Sequence, residues 1–246
     1  MGSIFVGTIE EIWRYPVSSL GGEPLDTVGI DAGGVPGDRK WCLVDAQTGL
    51  PAAPETDRRW HAALFLKSRQ GVGTPEIGFL DGAWLSIEDR GLKARLEAHF
   101  SFAVDVRPYA GTQTSDPDAK PIATNRYEPS PLHVLTTGSL DHLASLTAIP
   151  DISSRRFRPT VLLRTGNAGA FVEPSWLGRA LQLGPTTVQA TEETKRCGLT
   201  LIAQPGFREE PEILRNVVRH NRRNFGIYCA VSTPGTIAVG DSAYLL

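Results

Sequence analysis

The sequence predicts a mainly β chain with a few separate helices, an α+β arrangement in which two β-rich units are each curled into a barrel. Three observations predict it. Short apolar or alternating runs recur between Gly, Pro and Asp turn residues, which is the pattern of half-buried strands. Helical spacing is confined to a few isolated segments, without the regular alternation of strand and long helix that a doubly wound parallel sheet requires. The stretch from Tyr109 to Pro131 is poor in apolar residues and holds Gly111, Pro117, Pro121, Pro129 and Pro131, so it reads as a linker or long loop. The expected organisation is an N-terminal unit over 1–110, a connection over 111–131 and a C-terminal unit over 132–246.

In chain order, strands are expected over Ile4–Tyr15, Leu25–Ile30, Trp41–Asp45, Ala63–Ser68 and Trp84–Glu88. Apolar residues at helical spacing predict helices over Leu92–Phe100, over Ser139–Leu146 behind a serine cap, over Trp176–Leu181 and over Glu210–Arg223. Further strands are expected over Thr160–Arg164, Thr186–Thr191, Gly226–Ser232, Thr236–Val239 and Ala243–Leu246. No internal repeat or low-complexity tract interrupts the series.

With 246 residues, 41% of them hydrophobic and 21% charged, the chain can bury a core of its own. Its 25 basic and 27 acidic residues are well mixed and leave a net charge of −2, so no global field draws it to nucleic acid or to an anionic membrane. Any anion must be bound by a local cluster. Met1–Tyr15 carries Glu10 and Glu11 within its apolar run and lacks a basic start, which argues against a secretory signal. No run approaches the roughly 18 apolar residues of a spanning helix, and a soluble cytoplasmic protein is expected. Cys42, Cys197 and Cys229 form no CxxC pair and cannot all be bridged, which suits a reducing compartment. On their flanks, Cys42 and Cys229 read as buried small hydrophobes.

The chain has no GxSxG elbow, HExxH pair, GxxxxGK phosphate loop or dinucleotide fingerprint. His61, His99, His133, His142 and His220 are scattered without metal-ligand spacing and read as surface or satisfied core residues. Three features could carry chemistry. Arg155, Arg156 and Arg158 sit ahead of a predicted strand, as guanidinium forks suited to phosphate or carboxylate oxygens or as a solvated basic turn. Gly37-Asp38-Arg39-Lys40-Trp41 aims a further arginine from a turn, or simply pairs Asp38 with Arg39. Lys195-Arg196-Cys197-Gly198 sets a thiol beside two cations and a glycine, which favours the thiolate, a soft metal donor, and permits close approach.

Several segments together carry a resemblance: Ile12-Trp13-Arg14-Tyr15-Pro16-Val17-Ser18-Ser19-Leu20-Gly21-Gly22, Gly37-Asp38-Arg39-Lys40-Trp41, Arg156-Phe157-Arg158-Pro159, Arg196-Cys197, Phe225-Gly226-Ile227-Tyr228 and Pro234-Gly235-Thr236-Ile237-Ala238-Val239-Gly240-Asp241. In this order and spacing the chain resembles the MOSC family, in the two-part form whose N-terminal β-barrel domain precedes a MOSC β-barrel domain, and within it the amidoxime-reducing group. The resemblance implies a molybdenum–molybdopterin cofactor with Cys197 as the protein ligand to the metal. It implies cofactor contacts from Ser18, Ser19, Arg39, Arg156, Arg158, Thr160, Lys195 and Arg196, and places Tyr228 in the lining of the site, where it is the candidate proton donor. A terminal phosphate needs such fixed cations, since an uncompensated buried charge is costly. Two positions depart from the family pattern: Ser18 stands where a lysine is usual and Thr160 where an asparagine is usual. Lys195, where serine is common, is expected to restore some of the missing charge.

The implied reaction is the two-electron reduction of a small N-hydroxylated substrate. No flavin, haem or iron–sulfur motif is present, so a separate electron-donor redox protein is implied. The resemblance implies nothing of pyridoxal phosphate, which is not expected to bind. A persulfide on Cys197 serving sulfur transfer in cofactor maturation, and a non-catalytic cofactor carrier, stay open as alternatives.

Overall fold

The elements run β1 (Ile4–Arg14), β2 (Val17–Ser18), β3 (Glu23–Leu25), β4 (Thr27–Ile30), β5 (Trp41–Asp45), β6 (Lys67–Gln70), β7 (Pro75–Gly78), β8 (Trp84–Ser86), α1 (Leu92–Phe100) and β9 (Val104–Pro108) in the first half. The second half holds β10 (Leu132–Thr136), α2 (Thr137–Ser145), β11 (Val161–Arg164), β12 (Ala180–Leu183), β13 (Thr186–Lys195), α3 (Pro211–Asn221), β14 (Asn224–Thr233), β15 (Gly235–Ala238) and β16 (Ser242–Leu245). This is a computed structural model, and it describes residues 2–110, 112, 121–125, 130–166 and 170–246. Most of the expected connection over 111–131 lies outside the described residues.

A barrel of seven strands forms in the order β11-β10-β14-β13-β12-β16-β1 and closes through the antiparallel pair β1–β11, while β3 adds to the free part of β1. Its interior is packed with aliphatic side chains of alternate strand positions, among them Ile9, Ile12, Leu132, Val134, Val161, Leu181, Leu183, Val188 and Ile227. β1 bends where its register shifts beside Gly7, and a Cβ there would stand 2.1 Å from the Arg164 carbonyl oxygen, so only glycine lets the strand turn against β11. Strand pairing links the two halves of the chain. β1 is the first strand in sequence yet closes the barrel built from second-half strands, and β4 pairs with β15.

The rest of the first half forms two three-stranded sheets, β2-β5-β9 and β6-β7-β8, around a core that includes Val17, Leu43, Trp60, Leu66, Ile77, Leu96 and Val106. Ser68 joins them to the strap after β2: its N–H donates to the Gly21 carbonyl at 2.7 Å, and its hydroxyl accepts from Val17 N–H at 3.3 Å. A third core lies outside the barrel, where α2, α3, Phe157 and Phe225 cover β10 and β11. Among the described residues no helix is long and apolar enough to cross a membrane.

Three expectations need correction. Trp176–Leu181 is not a helix: a single 3-10 turn covers Glu173–Trp176, and β12 follows. Leu181 and Leu183 are both buried two positions apart, a strand period that pairing with β13 and β16 enforces. Ala63–Ser68 is not one strand either, because Arg58–Phe65 is a 3-10 helix capped by Asp57 and β6 starts only at Lys67. Its adjacent residues Ala63 and Leu64 are both buried, which a strand with one covered face cannot achieve. The cap of α2 is Thr136, whose hydroxyl accepts from Ser139 N–H at 3.1 Å, and no serine serves there.

Candidate functional site

The site is assembled where β1 leaves the barrel. Tyr15 is locked to the Gly37–Lys40 turn on both sides of its backbone. Its N–H donates to Asp38 Oδ1 at 2.7 Å, and its carbonyl accepts from Arg39 N–H at 2.8 Å. The Arg39 guanidinium pairs with Asp38 and also donates to the Arg158 carbonyl at 2.9 Å. Arg158 in turn donates to the Leu20 carbonyl in the strap that holds Ser18 and Ser19. Both guanidiniums lie over the Tyr15 ring, with Cζ 4.9 Å from its centroid for Arg39 and 4.3 Å for Arg158. Ser19, Arg39 and Arg158 all take left-handed backbone, at φ 68°, 50° and 54°. Each such residue costs about 1 kcal/mol or more, so the hydrogen bonds around them must over-determine the conformation.

Arg196, 8% exposed, meets the same segment at Phe157. Its Nε donates to the Phe225 carbonyl at 2.9 Å and its Nη1 to the Phe157 carbonyl at 2.9 Å, and Nη2 meets both the Phe225 carbonyl and His133 Nε2. Since a guanidinium only donates, His133 Nε2 is the acceptor, and Nδ1 carries the proton toward the Arg158 carbonyl at 3.4 Å. The imidazole thus couples the two arginine segments. Gly226 makes room for it: at φ +80°, a Cβ there would stand 2.5 Å from His133 Nε2 and 2.7 Å from the Val134 carbonyl oxygen. Tyr228 lies opposite His133 across the β10–β14 pair, with ring centroids 5.8 Å apart.

Cys197 follows at once, half-buried, at the head of the short 3-10 turn Gly198–Leu201. Burial brings both Arg158 and Arg196 down to about 10, and the Cys197 side chain is among the groups that oppose this in each. Cys197 therefore shares one electrostatic neighbourhood with both guanidiniums, which stay cationic at neutral pH. Burial pushes the Tyr15 phenol above its ordinary range, and among the described residues its Oη has no hydrogen-bond partner.

The remaining candidates divide. Arg156 is buried and donates to the carbonyls of Thr200 at 3.3 Å and Arg208 at 2.7 Å, so the expected trio of forks is split and this one staples the Cys197 turn to Phe157. Thr160 is fully buried, its hydroxyl accepting from His133 N–H at 3.2 Å, and it faces the protein. Lys195 is exposed, opposite Asn224 in the β13–β14 ladder, between the buried Thr194 and Arg196. Ser18 is half-buried in β2, beside Cys42 of β5. Cys42 and Cys229 are buried, as expected from their flanks. Sequence reasoning missed Tyr15 and His133 as site residues. The apolar run around His133 offered no signal, whereas Tyr15-Pro16 at the end of the first strand could have marked a turn under constraint.

His133 supplies a pH prediction. Burial, reinforced by the Arg196 charge, holds it well below its ordinary value of 6.5. A depressed folded pKa gives stability that is whole above the unfolded value and is lost as pH falls toward the folded one. Below 6.5 the parent should lose up to about 1.4 kcal/mol per pH unit relative to His133→Gln. Urea unfolding from pH 7.5 to 5 checks this, and parallel profiles for the two proteins would remove it.

Among the described residues no three His, Cys, Asp or Glu side chains converge, so a metal here would need ligands that the protein does not supply. One part-exposed thiol, two buried cations and an unpartnered phenol beside them are a donor set that fits a group bringing its own metal ligands and an anionic end.

Residues 122–244 match the model of the MOSC domain, and residues 6–120 that of the MOSC N-terminal beta barrel domain. The chain is 23% identical to mitochondrial amidoxime-reducing component 1 of Homo sapiens and 23% identical to that of Mus musculus, each over 98% of this chain and 83% of the relative. The crystal structure of the YUAD protein from Bacillus subtilis superposes with a TM-score of 0.53 at 13% identity, covering 99% of this chain and 97% of the other, a likeness of fold.

Proposed function

The chain belongs to the MOSC domain family, and from that premise we propose that it binds molybdenum–molybdopterin through Cys197 and reduces N-hydroxylated substrates with electrons from a separate redox protein. The observation that carries the reading is that Arg196, next to Cys197, bonds the Phe157 carbonyl just before Arg158 and also His133, whose ring faces Tyr228. The curated relatives matched over nearly the whole chain are named for amidoxime reduction, which supports the reaction class. No disulfide joins Cys42, Cys197 and Cys229, in keeping with a reducing compartment such as the cytoplasm.

When bound, the cofactor supplies the two-electron chemistry, and the protein supplies binding and orientation. Cys197 would provide the protein sulfur. Arg39 and Arg158 would face the anionic part of the cofactor together with Ser18 and Ser19, and each arginine is pre-set by its backbone and by the Tyr15 ring beneath it. Arg196, held by two carbonyls and His133, fixes the approach of the chain to Cys197. Tyr228 is the hydroxyl on this face that could hold a proton for the leaving oxygen.

Reduction of benzamidoxime by cofactor-loaded protein with an artificial electron donor tests the reading. Turnover that disappears in Cys197→Ala supports it, and loaded protein without turnover makes the chain a carrier. Metal-free protein with labile sulfur on Cys197 would assign it to sulfur transfer. For Lys195→Ala, a several-fold fall in molybdenum content is expected if its charge serves the site, and unchanged content would remove Lys195 from it.

A further inference from the structure

Helix α3 braces the segment that carries Cys197 at both of its ends. At the start of the helix, Glu210 N–H donates to the Leu201 carbonyl at 2.8 Å, and Arg156 ties the Thr200 carbonyl to that of Arg208. Beyond its close, Arg196 N–H donates to the Arg223 carbonyl at 2.8 Å, and Arg223 Nε donates back to the Arg196 carbonyl at 2.6 Å. Between these ties Ile213 and Val217 press the inner face of α3 into the core outside the barrel. The outer face is thereby fixed relative to Cys197, and its residues are exposed.

That outer face is cationic. Arg215, Val218, Arg219 and Arg222 follow one another at the spacing of a single helix face, all exposed, with His220, Arg223 and Lys195 exposed around them. Residues 215–223 hold four arginines and no acid, in a chain whose net charge is −2. Arg215 pairs with Glu212, while among the described residues Lys195, Arg219, Arg222 and Arg223 pair with no carboxylate. Glu193, two positions before Lys195, is engaged by Asn224 Nδ2 at 2.9 Å. Cations in the last turn of a helix complement its dipole, which accounts for Arg219 and His220. It does not account for Arg222, which caps the helix in left-handed backbone at φ 51° and is followed by Arg223 at φ 74°. Glycine ends helices in that conformation without penalty, whereas an arginine costs about 1 kcal/mol or more, so the fold alone gives no reason for a guanidinium at 222. Val218, 50% exposed, sets an apolar spot amid the charge, the anatomy of a surface that meets a partner.

We propose that the outer face of α3, with Lys195 beside it, is the surface on which the electron-donating protein docks, and that this donor presents an acidic face. The proposal rests on the reading that electrons reach the chain from a separate protein, and it adds where that protein sits and by what charge it is recognised. Reduction of R–NHOH to R–NH2 and water takes two electrons from the donor and two protons from solvent. A donor that gives one electron per encounter must therefore dock and leave twice in each turnover. Exposed charge suits such traffic, because it speeds association and sets orientation without holding the partner for long.

Calorimetric titration of the unloaded full chain at low ionic strength, with a plant-type [2Fe–2S] ferredoxin as an acidic one-electron probe, should show saturable binding that is lost at high salt. Arg219→Glu combined with Arg222→Glu should weaken it about tenfold, since each reversal turns attraction into repulsion, while Lys93→Glu on the exposed face of α1 should not. Arg219→Gln with Arg222→Gln, which removes the charges without opposing the helix dipole, should weaken it several-fold. In cofactor-loaded protein the Glu pair should raise KM for reduced ferredoxin about tenfold. Benzamidoxime reduction driven by reduced methyl viologen, a small cation that gains nothing from this face, should keep its rate. No dye-driven turnover in any of these proteins defeats the reductase reading and the donor with it. Dye-driven turnover together with ferredoxin binding that is absent, or indifferent to salt and to both pairs, overturns the docking face alone. Equally tight binding of phosphatidylserine vesicles or duplex DNA would show a patch for any polyanion and overturn it as well.

Discussion

Arg196→Ala is expected to destabilise the protein by about 3–5 kcal/mol, a large share of a domain's stability. The guanidinium is buried and donates to the carbonyls of Phe225 and Phe157 and to His133 Nε2. Removing it leaves these acceptors dry, at roughly 1–3 kcal/mol each before relaxation, and opens a void against Phe157, whose ring lies 5.8 Å from Arg196 Cζ. Arg196→Lys should recover less than half, since one ammonium cannot span a fork that reaches three acceptors. The loss has a local side as well. The Phe157 carbonyl precedes Arg158, and Arg196 precedes Cys197, so one side chain sets the spacing of the cation and the sulfur. Urea unfolding at neutral pH measures the effect, and a loss under about 1 kcal/mol would show that the fork is not what joins these segments.

Much of the local structure was legible. Trp41–Asp45 and Leu92–Phe100 are expected and observed with the same bounds, because each is a complete local pattern, an apolar run closed by Asp and Leu at positions 92 and 96 followed by Phe100. What could not be read locally is which sheet a strand joins. β1 carries the alternation that any half-buried strand would show, and only the packed molecule reveals that it closes the later barrel. Trp176–Leu181 went astray for a related reason, since a short apolar run bounded by turns has no period of its own.

At the site the sequence marks charge but not its direction. Arg39, Arg155, Arg156, Arg158 and Arg196 look alike as isolated forks. In the structure Arg156 and Arg196 are turned onto carbonyls, Arg39 and Arg158 onto the Tyr15 ring, and Arg155 onto the Phe207 ring. Which acceptor captures a donor is a tertiary matter. Thr160 illustrates the same point, because its hydroxyl is taken by His133 N–H, a partner 27 positions away.

The second large effect concerns Cys197. A serine there keeps the volume and the backbone hydrogen bonds to Thr200, at 3.2 Å from its N–H and 3.0 Å from its hydroxyl, so the fold should persist. It replaces a soft sulfur donor by a hard hydroxyl oxygen. The direct measurement is molybdenum content of parent and Cys197→Ser protein made side by side in a host that synthesises the cofactor. The parent should hold about one molybdenum per chain and the variant only a small fraction of that, with equal thermal stability before loading. Equal molybdenum in the two proteins, or none in either, would contradict the role given to this sulfur.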